Sequence, residues 1–244
     1  MKYKLLFLAS LFYSIILFSQ TNNGIVKYEC SLITNELEAF LSKHDSIQKK
    51  YIFTQKIIDE TDPISFTLKF NKNESIFSID EELEPDNKLN INRIFFKDHV
   101  YYNNQKDSTS LKKIDAYGDQ FLIENNNTKF KWELKNKSKK IGKYVCYKAT
   151  LKINGNESMF IEAWYTPKLN KLITPLGYSG LPGAILELTR KAGKEGRYIS
   201  KFQVRDISYK KKPLKIKKPT KGKKITQEEF EKIGREAMDG LKNR

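Results

Sequence analysis

Alternation of apolar and polar residues dominates the middle of the chain and constrains its fold more than any other feature. Between Tyr51 and Tyr209 no long helical period occurs, whereas short alternating runs recur between turn residues. Clear examples are Phe130–Leu134 and Lys143–Ile153, the second followed by a hairpin-forming Asn-Gly pair. A period of two places every second side chain on one face of a sheet. We therefore predict a β-rich α+β fold with a curved, mainly antiparallel sheet similar to half of a barrel, spanning residues 20–209.

The C-terminal part of the chain has a different pattern. Nine of the fifteen residues from Lys210 to Lys224 are lysine, and none is acidic. Two prolines in this stretch argue against continued pairing in a sheet, so the sequence predicts a Lys-rich linker over 210–224. Thr226 and Glu229 then form a capping-box pattern, which predicts a helix over 225–244. Its apolar residues share one helical face: Phe230, Ile233, Ala237 and Leu241.

The N-terminus has the layout of a secretory signal peptide. Lys2 and Lys4 precede an apolar stretch from Leu5 to Phe18, and Ser19 offers a small residue at the cleavage position before Gln20. The alternative is an uncleaved anchor helix, although the apolar stretch is short for a membrane span. We expect residues 1–19 to be a signal peptide and the protein to be exported, as a periplasmic or secreted bacterial protein.

The charge balance narrows the choice of partners. The formal net charge is +16, and much of it lies between Lys210 and Lys224. Nucleic acid is a poor partner for an exported chain, so we predict none. A run of like charges is usually a solvated segment. The second interpretation is contact with an anionic membrane surface through Lys210–Lys224.

Two cysteines, Cys30 and Cys146, are the whole cysteine content of the chain. An exported protein meets an oxidising compartment, in which an even pair of cysteines favours a disulfide. The alternative is two separate buried thiols, because cysteine also packs as a small apolar residue. We predict a Cys30–Cys146 bridge between the first strand and the strand near Lys143, and no metal site.

The most specific string in the chain runs from Gly180 to Leu188 and reads GLPGAILEL. With the upstream Trp164–Pro167 and Ile141–Ala149, it resembles the GLPGLI family of exported bacterial proteins. Ala184 stands where the family motif has leucine, Thr174 where glycine is usual and Asn170 where a second proline is common. The resemblance implies an envelope location, but the family has no established activity, so it implies no reaction.

The GLPG string is physically a turn that enters a strand. Gly180 and Gly183 permit positive φ or close backbone approach, and Pro182 fixes φ. One interpretation is a tight corner in a curved sheet. The sharper hypothesis is a ligand or partner groove formed by the turn and nearby aromatic residues: Gly180, Leu181, Pro182, Gly183, Trp164, Tyr165 and Tyr178.

Catalytic signatures are sparse. The two histidines, His44 and His99, lie among polar residues and are expected to be solvated, and no common nucleophile or phosphate-binding motif occurs. We therefore predict no catalytic residue and no cofactor. The favoured function is a non-enzymatic binding or accessory module with an apolar or aromatic-lined concave face, which binds an unknown envelope protein, a lipid or a glycan. The alternatives are an envelope hydrolase with an unrecognised carboxylate site, or an interaction protein that docks on an anionic membrane through its basic tail.

Overall fold

The structure is a computed structural model that describes residues 23–32, 62–81, 93, 96–126, 130–153, 159–192 and 198–242. The predicted signal peptide, residues 1–19, lies outside the described residues, as does His44. Within the described part of the chain, one helix and twelve strands are assigned. The strands and the helix are β1 (Gly24–Leu32), β2 (Ile64–Phe70), β3 (Glu74–Ile79), β4 (Val100–Asn104), β5 (Thr109–Ala116), β6 (Asp119–Asn126), β7 (Glu133–Ile141), β8 (Tyr144–Ile153), β9 (Met159–Thr166), β10 (Ala184–Ala192), β11 (Tyr198–Tyr209), β12 (Lys223–Thr226) and α1 (Gln227–Lys242).

All twelve strands belong to one open sheet in the order β12-β6-β5-β4-β3-β2-β1-β11-β10-β9-β8-β7. Every neighbouring pair is antiparallel except β12, which runs parallel to β6. The predicted β-rich, mainly antiparallel open sheet is therefore confirmed. The two halves of the sheet are joined by β1, which pairs with β2 on one side and with β11 on the other.

The core lies on one face of this sheet, which we call the inner face and which carries Tyr28, Phe66 and Phe77. In β2 the buried and partly exposed residues alternate, as the sequence pattern requires. The Phe77 and Phe202 ring centroids are 6.3 Å apart, although three strand spacings, about 14 Å along the sheet, separate their strands. The side chains therefore converge on the inner face, as expected for a curved sheet.

The connection between β9 and β10, residues 167–183, crosses the inner face. Its apolar side chains Leu169, Ile173, Leu176 and Leu181 are buried in the main core. A short 3-10 turn, Pro175–Gly177, extends along the inner face to β4, in the other half of the sheet. A Cβ placed on Gly177 would lie 3.5 Å from the Tyr101 ring there. The connection therefore packs as part of the core.

The Lys-rich segment lies on the outer face, opposite the core. The Leu214 N–H donates to Asn23 Oδ1 at 3.1 Å, and Asn71 Nδ2 donates to the Leu214 carbonyl at 3.1 Å. Ile216 packs against a small outer-face cluster of Tyr102, Leu111 and Leu122. Although most lysine side chains of the segment are exposed, its backbone follows the sheet between these attachments.

The helix α1 follows β12 and packs at the end of the sheet. At its start, the Thr226 N–H donates to Glu229 Oε2 at 2.7 Å and the Glu229 N–H donates to Thr226 Oγ1 at 3.2 Å. Phe230 and Ile233 pack against a third cluster formed by strands β5 and β6: Ile114, Phe121 and Ile123. Among the described residues, no helix has both the length and the apolar character needed to span a membrane.

Candidate functional site

The GLPG turn uses its two glycines for different reasons. Gly180 has φ of +101°, a conformation that other residues rarely adopt. Gly183 has no unusual φ, but a Cβ placed there would lie 2.0 Å from the Thr166 carbonyl oxygen. The backbone of the turn is thus in direct contact with the end of β9, which leaves no space for a side chain at position 183.

Aromatic residues from the segment before β7 cover this turn. Trp132 Nε1 donates to the Ser179 carbonyl at 2.9 Å, and the Phe130 and Tyr178 ring centroids are 5.3 Å apart. Leu181 is buried beneath the turn, whereas Gly180 and Pro182 are exposed. The structure therefore brings Tyr178 and the predicted Gly180–Gly183 stretch together at one end of the sheet.

Trp164 and Tyr165 do not complete the predicted groove. Trp164 lies on the outer face, where the Lys139 ammonium sits 4.4 Å from the centroid of its indole ring. Tyr165 is buried with its ring centroid 6.1 Å from that of Tyr147. Consecutive residues of a strand point to opposite faces, so these two neighbours in β9 cannot line the same groove.

A second group of side chains, which the sequence did not single out, lies on the inner face. The register aligns Phe77, Tyr101, Lys112 and Ile123 across β3, β4, β5 and β6. Lys112 is thus a charged residue in a row that is otherwise uncharged. Its ammonium is 5.7 Å from the centroid of the Tyr101 ring, a cation–π distance.

Arg190 reaches the same interior from β10. Its Nε–H donates to Met159 Sδ at 3.2 Å, and the Tyr178 hydroxyl donates to the same sulfur at 3.2 Å. A thioether is a weak acceptor, so these bonds do not neutralise the guanidinium. We call His99, Tyr101, Lys112, Tyr178 and Arg190 the interior polar cluster.

The pKa values in this cluster reflect burial and the closeness of the two cations. Burial, followed by the charges of Lys112 and Arg190, lowers the pKa of His99 from 6.5 to about 3. Burial, followed by Arg190, lowers the pKa of Lys112 from 10.5 to about 8. Burial also raises the pKa values of Tyr101 and Tyr178. At neutral pH the cluster therefore contains a neutral imidazole, two phenols and two cations.

The expectation that His99 is solvated is wrong. His99 is partly buried, with its ring centroid 6.1 Å from that of Phe96 and its Nδ1 3.5 Å from the Tyr101 hydroxyl. The residue precedes β4, and its polar neighbours in sequence, Lys97 and Asp98, indicated an exposed turn and not a side chain that points inward. Lys112 was missed because Leu111-Lys112-Lys113-Ile114 has no strict alternation, so the pattern does not reveal which lysine faces inward.

The predicted disulfide is absent, because Cys30 and Cys146 are both buried thiols. Cys30 belongs to β1 and Cys146 to β8, and three strands, β11, β10 and β9, lie between them in the sheet. Neighbouring strands are about 4.8 Å apart, whereas a disulfide requires Cα atoms within about 7 Å. Burial raises the pKa of Cys146 to about 11 and that of Cys30 further, so both sulfurs are protonated and unreactive at neutral pH.

Metal binding has no support in the described part of the chain, where no group of three or more metal-ligating side chains occurs. Two cavities near the Lys-rich segment have volumes of about 270 Å³ and 120 Å³. The larger is lined by Asn23, Asn71–Glu74 and Pro213, and the smaller includes Leu111, Leu122 and Pro219. Both lie where that segment runs over the sheet, away from the interior polar cluster.

No family model and no curated protein matches the sequence. Among solved structures, PNGF-II in two crystal forms is similar at TM-scores of 0.46 and 0.47 and 13% identity, over 86% of this chain and 32% of that one. This chain thus spans about a third of the length of PNGF-II. An uncharacterized conserved protein from Thermus thermophilus has a TM-score of 0.35 and 6% identity, over 90% of this chain and 99% of that one. A LolA superfamily protein from Nitrosomonas europaea has a TM-score of 0.29 and 9% identity, over 80% of this chain and 89% of that one. At these scores and identities, the similarities assign no function to this chain.

Proposed function

We propose that this protein is an exported envelope protein of the GLPGLI type that acts as a non-enzymatic binding or accessory module. Its ligand binds on the concave inner face of the sheet. The observation that carries this proposal is the position of the interior polar cluster, whose partly exposed members His99, Tyr101 and Lys112 border the buried aromatic side chains of the core. Ligand sites commonly combine an apolar wall with a few polar groups in this way.

The inner face favours binding over hydrolysis. An envelope hydrolase with two carboxylates would need both in one cleft. Among the described residues, no carboxylate contributes to the pKa shift of His99 or of Lys112. Glu187, a buried carboxylate, accepts from Lys139 at 2.7 Å and from Gln203 at 3.0 Å. Its charge is therefore already paired in a salt bridge beside Trp164 on the outer face.

Docking on an anionic membrane surface through Lys210–Lys224 is the weaker candidate. The exposed lysines of that segment favour it. However, a tail used mainly as a membrane anchor would be expected to project away from the sheet. Instead, Ile216 and Phe230 pack against the sheet. We propose membrane contact only as an addition to ligand binding, with an envelope lipid, glycan or protein as partner and no nucleic acid.

Purification of the protein from its native envelope, followed by mass spectrometry of the extracted small molecules, tests the proposal. We expect a lipid-like or glycan-like molecule in stoichiometric amount, absent from an unrelated exported protein purified in parallel. A preparation without any bound small molecule, which also fails to bind added amphiphiles, would contradict the proposed function.

A further inference from the structure

We infer that Lys112 and Arg190 form an anion-binding subsite inside the sheet, which holds the carboxylate or phosphate group of an amphipathic ligand. The inference rests on the proposed function, since it assigns the polar end of the ligand that the concave face binds. In this proposal, Tyr101 and His99 are the neutral groups that line the subsite between the two cations.

The two cations come from strands that are far apart in the sheet. Lys112 belongs to β5 and Arg190 to β10, and five strands lie between them in the sheet. Along a flat sheet this separation is about 29 Å. Contacts on the inner face nevertheless join them. The Lys112 ammonium lies 5.7 Å from the centroid of the Tyr101 ring, and that ring lies beside Gly177. The adjacent Tyr178 hydroxyl and Arg190 Nε–H donate to the same Met159 sulfur, and the charge of Arg190 contributes to the lowered pKa values of Lys112 and His99.

Among the described residues, the two cations have no carboxylate as a counter-charge. Among the described residues, neither Lys112 nor Arg190 has a carboxylate within ion-pairing distance, whereas lysines elsewhere, such as Lys139 and Lys148, are paired at 2.7 Å and 2.6 Å. Like charges in a partly desolvated site repel each other. An anion bound between Lys112 and Arg190 would remove that repulsion, and an ammonium and a guanidinium are the donors that carboxylates and phosphates prefer.

A group of aromatic side chains lies beside the subsite. The Tyr101 ring centroid is 6.2 Å from that of Phe77, and the His99 ring centroid is 6.1 Å from that of Phe96. Phe66 and Phe202 continue this aromatic group toward the centre of the sheet. These phenylalanines are buried, but the rings of Tyr101 and His99 at the edge of the group are partly exposed. An anion with an apolar tail gains contacts with these two rings that a free inorganic anion does not, which is why the ligand class is an amphiphile.

The test is calorimetric titration of the purified protein with dodecanoate, with dodecanol and with inorganic phosphate. We expect dodecanoate to bind at least about tenfold more tightly than dodecanol, because only the carboxylate accepts charge-assisted hydrogen bonds from Lys112 and Arg190. In Lys112→Met and Arg190→Met, this preference should fall to near unity. The matched control is Lys113→Met, on the same strand but on the outer face, which should keep the preference.

The outcomes separate the subsite from the proposed function. Equal binding of dodecanoate and dodecanol by the unmodified protein would overturn the subsite and leave the proposed function standing. Binding of phosphate without either amphiphile would support an anion site for a free anion and overturn the amphipathic ligand. Binding of none of the three would overturn both.

A second readout does not depend on whether the variants fold. In the unmodified protein, the preference for dodecanoate should decline as the pH rises above about 8, where Lys112 loses its proton. A preference that stays constant up to about pH 10.5, the ordinary pKa of a lysine, would overturn the assignment of Lys112.

Discussion

The inner face of the sheet has two regions that differ in chemistry. In β1, β2 and β11 the inward side chains are apolar and almost fully buried, as with Tyr28, Phe66 and Phe202. In β4 and β5 the inward side chains include Tyr101, Asn103, Ser110 and Lys112, which the register pairs across the two strands. We call these the apolar region and the polar region. The apolar region holds the fold together, and the polar region is where we propose that the ligand binds.

Gly183→Val should have the largest effect, because Gly183 lies between the core residues Leu181 and Ala184, where the backbone of the GLPG turn contacts β9. A Cβ at that position would lie 2.0 Å from the Thr166 carbonyl oxygen, so the two strands would have to separate. We expect loss of more than about 4 kcal/mol in the free energy of unfolding, measured by denaturant titration. Ala184→Leu, which overpacks the adjacent buried position, should cost about 1–3 kcal/mol. The reverse ranking would show that the turn is not packed in this way.

Phe66→Ala tests the apolar region at its centre. The Phe66 ring is 1% exposed and contacts the rings of Phe77, Phe96 and Phe202. Its removal should lower the free energy of unfolding by about 3–5 kcal/mol. Phe160→Ala is the control, because that side chain is 40% exposed and should cost less than about 1 kcal/mol. Similar losses in the two variants would contradict the assignment of the core.

Truncation after Tyr209 should separate the two regions. Among the described residues, the main core includes none beyond Ile207, so the shortened chain should still unfold cooperatively. It loses the partly buried Ile216, Ile225, Phe230 and Ile233 from the two smaller clusters. We expect a loss of roughly 2–4 kcal/mol.

Hydrogen exchange locates the effect of the truncation. Amides of β5 and β6 should lose protection, whereas those of β1 and β2 should keep it. Loss of protection throughout the sheet would show that the tail supports the apolar region as well.

The pH dependence of stability should report the polar region. The folded chain holds Lys112 at a pKa of about 8, whereas the ordinary value is 10.5. Between these values the unfolded chain holds a proton on Lys112 that the folded chain has lost, so the contribution of Lys112 to the free energy of unfolding rises with pH, by at most about 1.4 kcal/mol per pH unit. Of the groups that face Lys112, His99 is neutral throughout this range, and the buried Tyr101, whose pKa is raised in the folded chain, titrates there only in the unfolded chain. The contribution of Tyr101 is removed by comparison with a variant that lacks only Lys112.

Denaturant titrations from about pH 7 to about pH 11 on the unmodified protein and on Lys112→Met check this slope. The unmodified protein should gain stability relative to Lys112→Met as the pH rises from about 8 to about 10.5. A difference that is independent of pH would show that Lys112 keeps its ordinary pKa in the folded chain.

The sequence predicted the apolar region well and the polar region poorly, for a physical reason. Alternation such as Ile64-Ser65-Phe66-Thr67-Leu68 predicts both the strand and its buried face, because burial of apolar side chains drives the fold. Lys112 and Arg190 carry no such signal, since a lysine or arginine in a strand is usually solvated. Only the registers of β5 on β4 and of β10 on β11 show that both side chains point inward.

The GLPG turn and the cysteines show the same limit. The sequence predicted that Gly180 or Gly183 would need positive φ or close approach, and the structure assigns the first to Gly180 and the second to Gly183. It could not predict that Trp164 lies on the outer face, because a motif does not specify strand register. The predicted Cys30–Cys146 bridge failed for a related reason, since strand order in the sheet does not follow order in the chain.

The free energy of unfolding of Lys112→Met, relative to the unmodified protein at about pH 7 and without ligand, tests the central claim most directly. A side chain kept for ligand binding contributes a partly buried charge that opposes folding, so an apolar side chain of similar length should leave stability unchanged or raise it. We therefore expect a change between zero and a gain of about 1–2 kcal/mol. A loss approaching that of Phe66→Ala would contradict the account, because it would make Lys112 part of what holds the sheet together.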